Sequence, residues 1–135
     1  MTFTIAQKVL FRHCDPAGIV FYPRFFEMIN DCVEAFFEEQ LTTPFASLHG
    51  VACVPTVTIE TTFSAPSRLG DTLFINLSPT RIGRSSLGLN FVALCGEEPR
   101  FSADSTLVYT NANGRPQSWP DNLRATITAM IKEQP

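Results

Sequence analysis

Apolar residues take odd-numbered positions at the start of the chain, where Phe3, Ile5, Val9 and Phe11 are interleaved with Thr4, Lys8 and Arg12. Period two predicts a strand over residues 3 to 11. The strand runs into His13-Cys14-Asp15-Pro16-Ala17-Gly18, a loop sequence with Pro and Gly punctuation. From Pro23 to about Leu41 the period changes. Phe25, Ile29, Cys32 and Phe36 recur at three- and four-residue spacing, flanked by Phe26, Val33 and Phe37, while Glu27, Asp31, Glu34 and Glu38 mark the opposite side. This predicts a helix with an unusually wide apolar face, a helix wrapped by other elements rather than laid on a surface. Pro23 suits its first turn, because the missing N–H would have no partner there.

After a predicted loop over residues 42 to 50, alternation returns. Val51, Cys53, Val57, Ile59 and Phe63 predict one strand; Leu73, Ile75 and Leu77 a second; Leu87, Leu89, Phe91, Ala93 and Cys95 a third; Phe101, Ala103, Leu107 and Tyr109 a fourth. Turn signals stand between them at residues 66 to 70, 82 to 85 and 96 to 99. The chain closes with an amphipathic helix from Pro120 to about Glu133, carrying Leu123, Ile127, Met130 and Ile131 on one side. The order predicts an α+β fold, an antiparallel sheet with one long helix packed across it. Such a sheet leaves edges to cover, and a symmetric dimer that continues it would do so.

A length of 135 residues fits one domain, so residues 1–135 are read as a single unit with no staple required. Twelve Phe against two Tyr and one Trp place much of the apolar volume in rings without a polar handle. The formal charge of −3 opposes a nonspecific grip on nucleic acid or anionic membrane, although local Arg residues can still hold a phosphate. Cys14, Cys32, Cys53 and Cys95 form no C-x-x-C pair and follow no apolar leader, so a reducing cytoplasm is the economical expectation. No apolar stretch is long enough to span a bilayer, and no His or Cys pair has metal-ligand spacing.

The chemistry-bearing run is residues 13 to 23, His-Cys-Asp-Pro-Ala-Gly-Ile-Val-Phe-Tyr-Pro, at the entry to the long helix. Free backbone N–H groups at a helix start favour negative charge, so a carboxylate upstream and an N–H downstream could serve as nucleophile or base and as oxyanion donor. On spacing alone a plain turn is the stronger reading, since Asp before Pro and Gly is a common turn residue. A Cys-His-Asp nucleophilic site is not expected from His13, Cys14 and Asp15, because consecutive residues in extended chain point in different directions. His13 and His49 read as loop residues.

The nine residues D-P-A-G-I-V-F-Y-P, followed directly by the long helix, resemble the signature of the hot-dog-fold acyl-CoA thioesterases of the 4-hydroxybenzoyl-CoA thioesterase family. The resemblance is strongest over about residues 9 to 30 and extends in element order over most of the chain. It implies a hot-dog fold, a long central helix wrapped by a five-stranded antiparallel sheet, assembled as homodimers that often pair into homotetramers with the active site between subunits. It implies Asp15 as nucleophile or as the base that activates water, the Tyr22 backbone N–H as the group that polarises the thioester carbonyl, and Gly18 as the loop glycine that admits the ligand. Phe21, Phe25 and Phe63 become candidates for an apolar acyl pocket, with Phe26 beside them. Asn30 matches the helix position where aromatic-acid members carry a carboxylate for the ring hydroxyl, and an amide lacks that charge. The Arg81-Ile82-Gly83-Arg84-Ser85-Ser86 turn, chiefly Arg84 and Ser85, is the candidate contact for coenzyme A, with a solvated turn as its bland alternative. Arg81, Arg115 and Arg124 are weaker candidates. No cofactor is expected, because coenzyme A belongs to the substrate, an acyl-CoA thioester whose candidate acyl groups include 4-hydroxybenzoyl-like aromatic ones. The alternative is a non-catalytic module that binds acyl-CoA or an acyl carrier. A dehydratase on the same scaffold would be expected to offer a His as base inside the run, where this chain has Asp15.

Overall fold

The computed structural model describes residues 2–133. Strand β1 (Phe3–Lys8) leads through a 3-10 turn (Phe11–His13) and a loop to helix α1 (Pro23–Glu39). A short helix α2 (Phe45–Leu48) follows, then β2 (Ala52–Cys53), β3 (Thr56–Phe63), β4 (Thr72–Ile82), β5 (Ser86–Cys95), β6 (Glu98–Val108), β7 (Thr110–Asn111) and helix α3 (Asp121–Lys132). Five strands form one antiparallel sheet in the order β1-β4-β5-β6-β3, and β2 pairs with β7 separately.

Alternation and wide amphipathicity meet as the sequence predicts. Leu73, Ile75 and Leu77 on β4, Leu87, Leu89, Phe91 and Ala93 on β5, and Phe101, Ala103 and Leu107 on β6 are buried on one sheet face. The α1 face of Phe25, Met28, Ile29, Cys32, Val33, Phe36 and Phe37 is buried with them. Fully burying a side chain such as Phe36 or Leu77 contributes about 1.5–3 kcal/mol, so this seam is the main source of stability. Burial also pushes the Cys32 thiol up to about 12, which makes it a packing group rather than a nucleophile. Trp119 closes one end of the core, stacked on Tyr109 at 4.8 Å between ring centroids.

Four expectations are revised. β1 stops at Lys8, because Leu10 donates its N–H to His13 Nδ1 at 2.8 Å and the chain turns, leaving Phe11 84% exposed instead of in a strand. The predicted strand over residues 51 to 63 is two strands separated by Pro55, which has no N–H to give a ladder. The loop over residues 42 to 50 contains α2, and β7 follows a bend after Val108. Finally, Ile59 and Phe63 lie opposite the inward residues Ser105 and Phe101 but are exposed, as is Val57 at the register shift between Thr56 and Thr58; Phe25 of α1 meets Phe63 at 5.6 Å, while an open cavity separates the middle of α1 from Thr56 and Ile59. β3 is therefore an open edge with an apolar inner face.

Candidate active site

The run that carries the signature folds into a tight hairpin. Phe21 N–H donates to the His13 carbonyl (2.9 Å), Asp15 N–H to the Ile19 carbonyl (3.0 Å) and Gly18 N–H to the Asp15 carbonyl (2.9 Å). Gly18 sits at φ +81°, a left-handed conformation that closes the turn and favours a residue without Cβ. Asp15 is half-buried at its start. Its Oδ1 accepts the Ala17 N–H at 2.9 Å, a local turn contact, while Oδ2 has no donor among the described residues. One oxygen thus holds the turn and the other is available.

The hairpin is docked on the loop before β4. Val20 N–H donates to the Ser67 carbonyl (2.8 Å), Ile19 bridges Arg68, and Val9 N–H donates to the Asp71 carbonyl (2.7 Å). That loop is held in turn by Arg100, whose Nη1 donates to Asp71 Oδ2 (2.7 Å), Ser67 Oγ (3.2 Å) and the Pro66 carbonyl (3.2 Å). Arg100 and the Arg68 N–H hold the Asp71 carboxyl below the usual carboxylate range. Sequence reading missed Arg100, because the loop groups that it holds lie about 30 residues away in the chain and no local spacing announces them.

His13 is buried and its Nδ1 accepts from Leu10 N–H, so the ring is neutral with its proton on Nε2. Burial, with Arg12 and Arg24 nearby, lowers its pKa. It is a structural member of the turn rather than a solvated loop residue.

At the α1 entry, Phe21 and Arg24 N–H groups are tied to loop carbonyls, but the Tyr22 N–H makes none of these bonds, and Pro23 has no N–H. Tyr22 is the cap residue and has no side-chain cap, so its N–H is an open donor at the positive end of the helix. Beside it lies an open, mainly apolar pocket of about 580 Å³ whose lining includes Ile19, Tyr22, Phe25, Phe63 and Ala65. Phe21 packs edge-on against Tyr22 (5.6 Å), and Tyr22 against Phe63 (6.2 Å). Asn30 is one turn and more further along α1, in a separate cavity of about 310 Å³ with Phe26, Ile29, Val33, Thr56, Ile59 and Ser105.

Arg84 and Ser85 are not brought to this place. They sit on the β4–β5 turn, whose inward carbonyls are clamped: Arg124 Nη2 donates to the Gly83 (3.0 Å) and Arg84 (2.9 Å) carbonyls, and Trp119 Nε1 to the Ser86 carbonyl (3.0 Å). The eleven residues of β4, at roughly 3.3 Å each, put that turn on the order of 30 Å from the loop that carries the Asp15 hairpin. Arg81 faces elsewhere again. It crosses Gly88, where a Cβ would lie 2.8 Å from its Cγ, and donates to Thr106 Oγ1 at 2.6 Å. A cleft of about 600 Å³ surrounds it with Glu60 and Asp104, but that cleft contains no group from the signature run. Arg115 lies in the turn after β7, its N–H on Asn111 Oδ1. Among the described residues no group of three or more His, Cys, Asp or Glu is placed to hold a metal ion.

The chain belongs to a known family: residues 17–96 match the thioesterase superfamily model, and the chain is a member of that superfamily. Among curated relatives, a 1,4-dihydroxy-2-naphthoyl-CoA hydrolase from Synechocystis is 34% identical over 85 residues, a stretch that covers 59% of this chain and 59% of the relative. Solved structures extend the likeness to the whole fold. A 1,4-dihydroxy-2-naphthoyl-CoA thioesterase from Synechocystis superposes with a TM-score of 0.88 at 21% identity, covering 100% of both chains. A gentisyl-coenzyme A thioesterase gives 0.86 at 25%, covering 93% of this chain and 99% of the other. A Staphylococcus aureus protein solved in complex with CoA gives 0.92 at 17%, covering 100% and 87%. The hot-dog architecture expected from the sequence is the fold observed.

Proposed function

We propose that the protein hydrolyses an acyl-CoA thioester with an aromatic acyl group to the free acid and coenzyme A. The observation that carries this reading is the Asp15 hairpin, whose Ile19 and Val20 line the apolar pocket together with Tyr22, with Asp15 Oδ2 unpartnered and the Tyr22 N–H open at the helix start. The thioester carbonyl accepts from the Tyr22 N–H, and the charge that develops on its oxygen as the carbon becomes tetrahedral is stabilised more than the neutral substrate is. Asp15 then acts in one of two ways. As nucleophile it forms an acyl anhydride, expels the CoA thiolate and is freed by water; as base it takes the proton of a water that attacks the carbonyl directly. No cofactor enters either route. The named relatives act on hydroxylated aromatic acyl-CoA substrates, which supports the aromatic class here.

The site is completed by a second chain. Arg84 and Ser85 are too far from Asp15 to hold the nucleotide end of the same substrate within one chain. Two copies joined antiparallel along β3 would bring the β4–β5 turn of one towards the Asp15 hairpin of the other, since the Thr56 end of β3 lies at the turn side and Phe63 at the hairpin side. The reading is therefore a homodimer, or a pair of dimers, in a reducing cytoplasm that suits four unpaired cysteines.

Thiol release from a panel of acyl-CoA substrates tests the activity. Asp15→Asn is expected to lower kcat by at least a hundredfold at unchanged melting temperature, because the amide oxygen still accepts the Ala17 N–H; full activity in this variant would refute the mechanism. Absence of cleavage with measurable acyl-CoA binding would favour the binding-module alternative.

A further inference from the structure

We propose that Arg124 of α3 is a positioning residue for the nucleotide end of coenzyme A, because it holds the β4–β5 turn in the shape in which Arg84 and Ser85 meet the phosphates. The proposal rests on the thioesterase reading with that turn as its coenzyme contact, and it adds the side chain on which the turn depends. Four successive turn carbonyls are engaged by the fold. The Gly83 carbonyl accepts from Arg124 Nη2 (3.0 Å), and the Arg84 carbonyl from Arg124 Nη2 (2.9 Å) and the Trp119 N–H (3.0 Å). The Ser85 carbonyl accepts from the Tyr109 N–H (2.7 Å), and the Ser86 carbonyl from Trp119 Nε1 (3.0 Å) and the Gly83 N–H (2.9 Å). Gly83 belongs to this shape, since a Cβ there would run into the Ser86 hydroxyl.

The donors of the same turn are left over. The N–H groups of Arg84 and Ser85 have no acceptor among the described residues, and the exposed Arg84 guanidinium and the Ser85 hydroxyl have no side-chain bond there either. Successive unpaired N–H groups beside a cation and a hydroxyl suit an anion such as phosphate. Arg124 is the part of this arrangement that its own helix does not call for. It stands in the first turn of α3, at the positive end of the dipole, where a cation is disfavoured, and no carboxylate pairs with it among the described residues. Its side-chain bonds are the two turn carbonyls, and the Gly83 carbonyl has no other donor among the described residues. One nitrogen of a planar guanidinium serves two successive carbonyls in a fixed geometry, so Arg124 acts on the coenzyme through the turn.

The test compares Arg124→Ala with the wild-type protein on the acyl-CoA cleaved fastest in the panel and on the same acyl group carried by pantetheine, which lacks the nucleotide and its phosphates. Arg124→Ala is expected to raise KM for the acyl-CoA about tenfold with kcat nearly unchanged, and to leave both constants for the acyl-pantetheine as they are. Amide hydrogen exchange at Tyr109 and Trp119, whose N–H groups donate to turn carbonyls, should quicken severalfold in the variant. Arg124→Lys, with one ammonium in place of the planar fork, should show the same split at about threefold, and it decides the matter if the alanine variant does not fold. An equal loss on both carriers, a loss confined to kcat, or a raised KM with exchange unchanged would overturn the proposal, the last by making Arg124 a direct phosphate contact. Calorimetric titration with CoA and with pantetheine separates this reading from the one it rests on: the thioesterase reading fails if no thioester is cleaved. The positioning role fails if Arg124→Ala binds CoA as tightly as the wild-type protein does, or if the wild-type protein binds CoA no better than pantetheine.

Discussion

The side chains around the Asp15 turn divide between holding the chain and leaving atoms free. Asp15 does both, one oxygen on Ala17 N–H and one open. His13 only holds, through the Leu10 N–H on Nδ1, and this bond exists for the neutral ring alone. Its pKa is depressed in the folded protein, chiefly by burial, so its contribution to stability is present above the unfolded value of about 6.5 and is lost as pH falls through the lower folded value. The melting temperature is thus expected to drop between pH 7.5 and 5.5. His13→Asn, which keeps a short acceptor but does not titrate, should flatten that part of the profile in a thermal melt series. The signature run was legible in the sequence because its groups are contiguous. Arg100 was not, because what makes it notable is its hold on Ser67 and Asp71, residues that strand pairing brings to it over tens of positions.

Among the elements, the loop before β4 is the base on which the signature hairpin rests, and the Arg100–Asp71 pair secures that base at 2.7 Å. Because the Asp71 carboxyl titrates below its unfolded value of about 3.9, the pair stabilises the fold above about pH 4 and is lost as pH falls through the lower folded value. Asp71→Asn is expected to lower the melting temperature at pH 7, with the gap to the wild-type protein closing near pH 3. Activity at pH 7 should fall as well, since Val20 and Ile19 take their positions from this loop. α1, β4, β5 and β6 could be read from period alone, since each buries a full stripe. The two-residue strands β2 and β7 and the one-turn helix α2 are too short to show a period, so they could not. Alternation on β3 correctly announced a strand with an apolar face, but it could not say that this face has so little of its own chain to cover it.

At the scale of the molecule, that uncovered strand is the main unfinished surface. Val57 is 53% exposed and Ile59 38%, on an edge whose free backbone groups have no ladder on one side. Light scattering at micromolar concentration is expected to give a dimer or larger assembly. Val57→Asp should shift it towards monomers with at least a tenfold loss of turnover; a fully active monomer would refute the shared site. If neither chain holds both ends of the substrate, the rate per chain depends on how many chains are paired, which is set by mass action. Serial dilution through the association constant should then lower specific activity along a quadratic binding curve, and excess of an inactive Asp15→Asn chain should recover part of it. An open edge on one small sheet thereby makes the abundance of the protein a control on its own turnover.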